Sequence, residues 1–452
     1  MRYIPADGLK YLFIDFNAFF AAVEQHDNPA LLGRPVIVTP LKSEYTSAIA
    51  VSYEARPFGI RRGTKVREAR ALCPGIAVCS ARHDRYVQVH HQLMREIERH
   101  LPLSKTYSID EAVFCLNPSE AKAQPALVIA HAVMDGIRQN VGPALRASIG
   151  LAQTRLLAKL AAEMHKPDGF TVIEPNDLPG KFIDMDLSDI PGIGKGMAMR
   201  LARNGITDFS ALWALQPKHA RRIWNSVQGE RFCYSLHGFE VDEPNTVKSM
   251  IGHSRVLARG YETPDKARLV ARALLLKAAS RLRNYGFHAT RMTLGVRIRL
   301  ESGGRIKWDQ GTAFAATQDS FAFLLTLDRL WACFLDRHCR KGSKVRLGSV
   351  TVYLHGLAGD MDAAVTQGDL FADPVEEQVS TRRKKLWGLI DKINSDPDGR
   401  FARLSSVASR SQTSENTTRR YVTIACQQGM DLNYLGAKIA FSRVPEENEF
   451  LF

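Results

Sequence analysis

The spacing of apolar positions changes several times along the 452-residue chain, and each change marks an element. Residues 11–14, YLFI, form an unbroken apolar run of strand length that ends at Asp15. Asn17 is a candidate N-cap, and AFFAAVEQ after it has helical spacing. RPVIVTP (34–40) is a second strand, and SAIAVSYEARPFGIRRGT (47–64) reads as strand, turn and basic loop. Residues 84–100 form an amphipathic helix and RASIGLA (146–152) a strand. QTRLLAKLAAEMHKPDG is a helix stopped by Pro167 and Gly169.

Residues 189–212, DIPGIGKGMAMRLARNGITDFSAL, have another texture, with short helices separated by glycine turns. Beyond them, SMIGHSRVL is a strand and PDKARLVARALLLKAASRLRNY a helix. RMTLGVRIRL and GRIKWDQGTAF make a hairpin, QDSFAFLLTLDRLWACFL is a helix and KVRLGSVTVYLHGL a strand. That order, β-α-β-β-α-β, is a compact α+β unit. The tail, 379–452, has one amphipathic stretch, RKKLWGLIDKI, and a Ser/Thr/Asn-rich run (404–418) that reads as loosely ordered.

Charge adds a boundary to this picture. The chain carries a net +14, which favours a polyanionic partner. Residues 246–357 hold 20 Lys and Arg against 7 Asp and Glu, a net +13, so nearly all the excess lies in one segment. Residues 358–377 then hold six acids and no Lys or Arg. A basic domain followed by an acidic linker is a domain boundary. The seven cysteines are scattered with no C-x-x-C pair, which argues against a zinc site and suits a reducing cytosol. The N-terminus has no apolar signal core, and FAFLLTLDRLWACFL contains Asp328 and Arg329 and is too short to span a membrane. The expected location is cytoplasmic, at the nucleoid.

Candidate chemistry centres on KTYSIDEAVF (105–114), where strand-like apolar residues surround Asp110 and Glu111. Two adjacent carboxylates in a buried strand are costly to desolvate unless something neutralises them, and they sit about a strand or turn away from any obvious Lys or Arg. Asp15 stands at another strand end, just before a helix. Three acids converging at strand ends suit Mg2+, which takes carboxylates together with phosphate oxygens. Two such ions stabilise both the attacking and the leaving oxygen in phosphoryl transfer. The free N–H groups of a helix beginning near Asn17 suit a triphosphate. Taken alone, a D-E pair is most often a solvated loop and Asp15 a helix cap.

Five stretches, two of which hold these acids, weigh against that bland reading. FIDFNAFFAAVEQ (13–25), SYEARPFGIRRG (52–63), YSIDEAVF (107–114), GLAQTRLLAKLAAEMHKPDG (150–169) and IPGIGKGMAMRLARNGI (190–206) together resemble the Y-family, translesion DNA polymerases, in order and spacing. The resemblance covers residues 10–355. It implies an α+β multidomain, right-hand-like polymerase with a ferredoxin-like palm (1–17 and 84–172), small fingers (18–83) and a helical thumb with a helix-hairpin-helix (173–243). A βαββαβ little finger (246–357) and an acidic linker (358–378) would follow, then a tail of unknown role (379–452).

The same resemblance implies the site. Asp15, Asp110 and Glu111 would hold two Mg2+ ions, with the Phe16 carbonyl as a further ligand. Phe20 falls where the family places the ring that excludes a ribose 2′-hydroxyl. Phe19 beside it belongs to the same nucleotide site, and the plain reading of either ring is helix core. Tyr53, Arg56 and Lys166 match triphosphate-binding positions, a task that suits a guanidinium and an ammonium. Gly192, Gly194 and Lys195 belong to a hairpin loop whose amides approach a DNA phosphate. In the acidic linker, QGDLF resembles the bacterial sliding-clamp-binding peptide, with Gln367 as a polar end and Leu370 and Phe371 as apolar plugs.

Implied partners are primer–template DNA, deoxynucleoside triphosphates, the sliding clamp and, as a further candidate, an accessory subunit. No segment has the carboxylate set of a proofreading domain, so low fidelity is expected. Ala50 departs from the family's Thr or Ser beside the triphosphate. Asn17 and the tail resemble the UmuC-like branch, whereas KPDG and SYEAR resemble the DinB-like one, and both branches stay open. Two rivals stand beside this reading. A non-catalytic accessory protein that binds DNA and clamp predicts lost acids. A palm-domain nucleotide cyclase needs neither the PGIG loop, the basic segment nor QGDLF.

Overall fold

The computed structural model describes residues 4–5, 8–40, 42–242, 248–257, 260–300, 304–339, 345–359, 382–383, 385–389, 391 and 444. The chain divides into two compact units, the first spanning Met1–Pro244 and the second beginning at Asn245.

The first unit starts with β1 (Ile4–Pro5), β2 (Tyr11–Phe16), α1 (Phe19–Asp27), β3 (Val36–Thr39), β4 (Ala50–Val51), α2 (Val66–Leu72), β5 (Ala77–Ser80) and α3 (His83–Ile97). It continues through β6 (Leu103–Thr106), β7 (Glu111–Cys115), α4 (Ala123–Gly136), β8 (Ala147–Ala152), α5 (Arg155–Met164) and β9 (Phe170–Val172). A five-stranded sheet has the order β6-β7-β2-β8-β9. Strand β2 lies at its centre and every residue of it is buried, which explains the unbroken apolar run. A smaller sheet, β4-β3-β5, closes over its own core of Ile37, Val51, Ile60, Val66 and Ile76.

Helices α6 (Lys195–Ala202), α7 (Phe209–Trp213), α8 (Pro217–Trp224) and α9 (Val227–Leu236) follow, and β10 (Phe239–Glu240) pairs back on β1. Ile193, Leu201, Phe209 and Leu236 from this region share one core with Tyr11, Phe13, Leu157 and Leu160. Helix α5 is pressed onto β8 at Gly150, where a Cβ would stand 2.0 Å from the Ala158 carbonyl oxygen. Only glycine allows that approach, so the position of α5 over the sheet depends on it.

The second unit is β11 (Met250–Val256), α10 (Pro264–Asn284), β12 (Phe287–Arg299), β13 (Arg305–Thr317), α11 (Ser320–His338) and β14 (Arg346–Gly359). This is the β-α-β-β-α-β order that the pattern predicts. The sheet order is β11-β14-β12-β13, antiparallel throughout. Met292, Leu294, Val296, Val350 and Val352 face a core with Leu275, Leu282, Phe323 and Phe334 from the two helices. The alternate positions carry Arg291, Arg297, Arg299, Arg305 and Lys307, all exposed.

Part of the tail belongs to this unit. Trp387 is 3% exposed, sits in the same core and lies against the Phe321 ring, with centroids 5.2 Å apart. Arg283 holds Asp391 with two hydrogen bonds, of 2.6 and 2.9 Å. Among the described residues of RKKLWGLIDKI, Trp387 is the buried apolar side chain, while Leu386 and Leu389 are exposed. QGDLF (367–371) and the Ser/Thr/Asn-rich run lie outside the described residues.

Two expectations need correction. Asn17 is not the N-cap of α1. That position is Ala18, in a left-handed conformation with no side-chain cap, because the Asn17 side chain is engaged elsewhere. KTYSIDEAVF is not one strand but the end of β6, a turn and the start of β7. The turn carries Asp110, and Glu111 opens the second strand. Among the described residues no helix is long and apolar enough to cross a membrane.

Candidate active site

Strands β2 and β7 pair with Asp15 directly opposite Glu111, so both carboxylates leave the same face at one end of the sheet. Helix α5 runs alongside. Four helical residues advance about 6 Å and two strand residues about 6.6 Å, so an i, i+4 row on a helix keeps step with alternate residues of a strand. Arg155, Lys159 and Glu163 form that row on α5, and Tyr11, Phe13 and Asp15 form the alternating row on β2. Arg155 lies 5.1 Å from the Tyr11 ring centre and Lys159 lies 5.4 Å from that of Phe13. Glu163 joins Asp15 and Glu111, each offering an oxygen within 4.8 Å of the others.

The acids are neutralised from within the chain. Lys159 Nζ stands 2.6 Å from Glu111. Lys166 Nζ stands 2.8 Å from Asp15 and 2.8 Å from Glu163. The cations are remote in sequence from Asp110 and Glu111, which is why the sequence leaves that pair unaccompanied. Asp15 is 8% exposed, and burial pushes its carboxyl above the usual carboxylate range, against the pull of Lys166. Burial alone would lower the Lys166 ammonium, but Asp15 and Glu163 overrule it and hold the group above its ordinary value. Asp110 faces a different partner, since its carboxylate accepts a hydrogen bond from the Ser108 hydroxyl. Its negative charge is still near enough to raise the Asp15 carboxyl further. The donor set is all carboxylate oxygen, which fits a hard divalent cation.

Two residues that the sequence reading missed, and one that it read as a cap, shape this site. Glu163 and Lys159 are legible only once α5 is laid against β2. Asn17 accepts the Asp168 amide at 2.9 Å and donates to Ser148 at 3.1 Å, tying the KPDG turn, and with it Lys166, to the end of β2. Phe16, the last residue of β2, donates its amide to the Asp110 carbonyl at 2.8 Å.

The other candidates occupy their own local settings. Phe20 is 6% exposed and stacks on Tyr86 of α3, with centroids 4.2 Å apart and planes 13° apart. The Tyr86 hydroxyl donates to Glu24 at 2.7 Å, and Arg82 clamps the same carboxylate. Phe19 is buried between Phe16 and Phe20. Arg56 lies over the Tyr53 ring, 3.5 Å from its centre, in one short 3-10 turn. Gly192 has φ of +91° and Gly194 precedes α6, which Lys195 opens. Among the described residues a Cβ at Gly192 or Gly194 would meet nothing within 4 Å, so the exposed backbone there is open to an outside group.

Comparison with known proteins agrees with this architecture. The impB/mucB/samB family matches residues 14–163, and the C-terminal domain of that family matches 248–370. A DNA polymerase IV of Moorella thermoacetica is 32% identical over 380 residues, covering 82% of this chain and 90% of the relative. A DNA polymerase IV of Halorhodospira halophila is 33% identical over 294 residues, covering 64% and 81%. A Y-family DNA polymerase chimera of Dbh and Dpo4 superposes with a TM-score of 0.63 at 23% identity, over 77% of this chain and 99% of that one. An insertion ternary complex of Dbh DNA polymerase gives 0.51 at 22% identity, with the same coverage. The fold is that of a Y-family polymerase, and the chain belongs to the impB/mucB/samB family. It is an enzyme of the DNA-directed DNA polymerase class.

Proposed function

We propose that the enzyme adds deoxynucleotides to a primer 3′-hydroxyl by two-metal phosphoryl transfer, with low fidelity and past damaged template bases. The observation that carries this reading is the register pair Asp15–Glu111, with Asp110 in the adjoining turn and basic side chains within reach. Asp15, Asp110, Glu111 and the Phe16 carbonyl would hold two Mg2+ ions. When bound, these neutralise charge at the attacking and leaving oxygens. Lys166, Arg56 and Tyr53 bind the triphosphate, and the Phe20 ring excludes a 2′-hydroxyl beside Phe19.

The domain roles follow the same reading. The palm is 1–17 with 84–172, the fingers 18–83 and the thumb 173–243. Thumb residues Gly192, Gly194 and Lys195 take a DNA phosphate through backbone and ammonium groups. The little finger is the second unit. The row Arg291, Arg297, Arg299, Arg305 and Lys307 on its open sheet face suits the phosphate backbone, which gives affinity without reading sequence. Gln367, Leu370 and Phe371 dock on a sliding clamp, a role that rests on the motif and its place in the chain. Primer extension by the purified protein on templates with and without an abasic site tests the reading. Mg2+-dependent synthesis past the lesion supports it, and no templated synthesis on either template refutes it.

A further inference from the structure

The groups assigned to the reaction leave one buried histidine beside the acids without a role. His90 lies on α3, is 2% exposed, and holds its Nδ1 2.8 Å from the carbonyl oxygen of Ile109, the residue before Asp110. A carbonyl only accepts, so Nδ1 carries the proton and donates it. Burial draws the His90 pKa down to about 4, so near neutral pH the ring is uncharged and this is its one N–H.

The rest of the turn is tied within the sheet. The amides of Tyr107 and Ser108 donate to the Glu111 carbonyl at 2.9 and 3.2 Å. The Asp110 carbonyl takes the Phe16 amide at 2.8 Å, and the Asp110 carboxylate takes the Ser108 hydroxyl. The Ile109 carbonyl points the other way, to the helix. We propose that His90 is a positioning residue, whose Nδ1–H fixes the Ser108–Glu111 turn from α3 and so sets where the Asp110 and Glu111 carboxylates stand. This rests on reading those two acids as the metal-binding pair. An ångström of misplacement at reacting groups lowers rates by one to two orders of magnitude, so one bond here reaches the chemistry.

Two substitutions separate positioning from packing, because they reverse the order of size and donor capacity. His90→Phe keeps a ring, a somewhat larger one, and loses the donor. His90→Asn loses volume and places an amide N–H as many bonds from Cβ as Nδ1. With the full chain and saturating primer–template, we expect His90→Phe to lower single-turnover incorporation about tenfold. It should also weaken Mn2+ binding to the DNA-free protein, read by electron paramagnetic resonance. His90→Asn should retain near wild-type rate and Mn2+ affinity despite a lower melting temperature. Rates that follow melting temperature, with Asn worse than Phe, would overturn the proposal, as would a His90→Phe protein with wild-type rate and Mn2+ affinity. Asp110→Ala serves as the control. If it keeps full synthesis, the acid assignment itself fails, and the positioning role falls with it.

Discussion

Lys166 bridges Asp15 and Glu163, its ammonium 2.8 Å from each carboxylate, at the point where three acids converge. A buried carboxylate with no counter-charge is strongly destabilising, and here an internal cation supplies that charge. A divalent ion that took over Asp15 would leave Lys166 with Glu163 as its remaining acid partner, next to where phosphate oxygens would arrive. Lys166→Met should therefore cost about 2 kcal/mol of stability in EDTA, below the full penalty for a broken buried pair because the raised Asp15 carboxyl can take a proton instead. Added Mg2+ should restore most of the loss. Melting curves with EDTA and with Mg2+ check this, and an equal loss in both would mean that Lys166 and the metal do not share Asp15.

The stack of Phe20 on Tyr86 holds the ring that is proposed to judge the sugar. Phe20→Ala should raise ribonucleotide over deoxynucleotide incorporation by at least tenfold. Tyr86→Ala, which removes the support and leaves the ring, should give a smaller shift in the same direction. Single-nucleotide kinetics with both sugars measure the ratio. A shift for Phe19→Ala with none for Phe20→Ala would move the gate by one residue.

His90 also gives a pH signature of stability. Its folded pKa, about 4, lies below the ordinary histidine value near 6.5. As pH falls between these values the unfolded chain takes up a proton and the folded chain does not. Stability is therefore full above about pH 6.5 and is lost towards pH 4, by up to roughly 3 kcal/mol. Chemical denaturation from pH 7 to 4.5 should show a shallower decline for His90→Asn than for the wild type. Parallel declines would mean that His90 titrates as if solvated.

The open face of the second unit makes a quantitative claim. Replacing Arg291, Arg297 and Arg305 by Ala should weaken duplex binding and flatten its salt dependence. Each phosphate that no longer meets a cation removes roughly 0.9 from the slope of log K against log salt, so a full effect is roughly 2.7. Binding isotherms at several salt concentrations give the slope, and an unchanged value would show that this face meets something other than DNA.

Much of this was legible in the sequence where a pattern is local. The βαββαβ unit follows from alternation and helical spacing, and the buried β2 run announces Asp15 at its end. Partners brought together by the fold were not legible. Lys159 and Glu163 are two positions of a predicted helix until α5 lies against β2, and Tyr86 and His90 are positions in an amphipathic helix. Asn17 has the chemistry of a cap, but its side chain bonds Ser148 and Asp168, 131 and 151 residues away, and the helix starts without it. QGDLF remains a sequence argument.

The acids at the strand ends carry the proposed chemistry. The most direct test is single-turnover incorporation by the Asp110→Ala, Glu111→Ala double variant, with primer–template affinity measured on the same preparation. These groups act on charge in the transition state more than on DNA affinity, so synthesis should fall by at least a thousandfold, about 4 kcal/mol, while DNA affinity stays within a few-fold of wild type. Substantial Mg2+-dependent synthesis by the double variant would contradict the assignment.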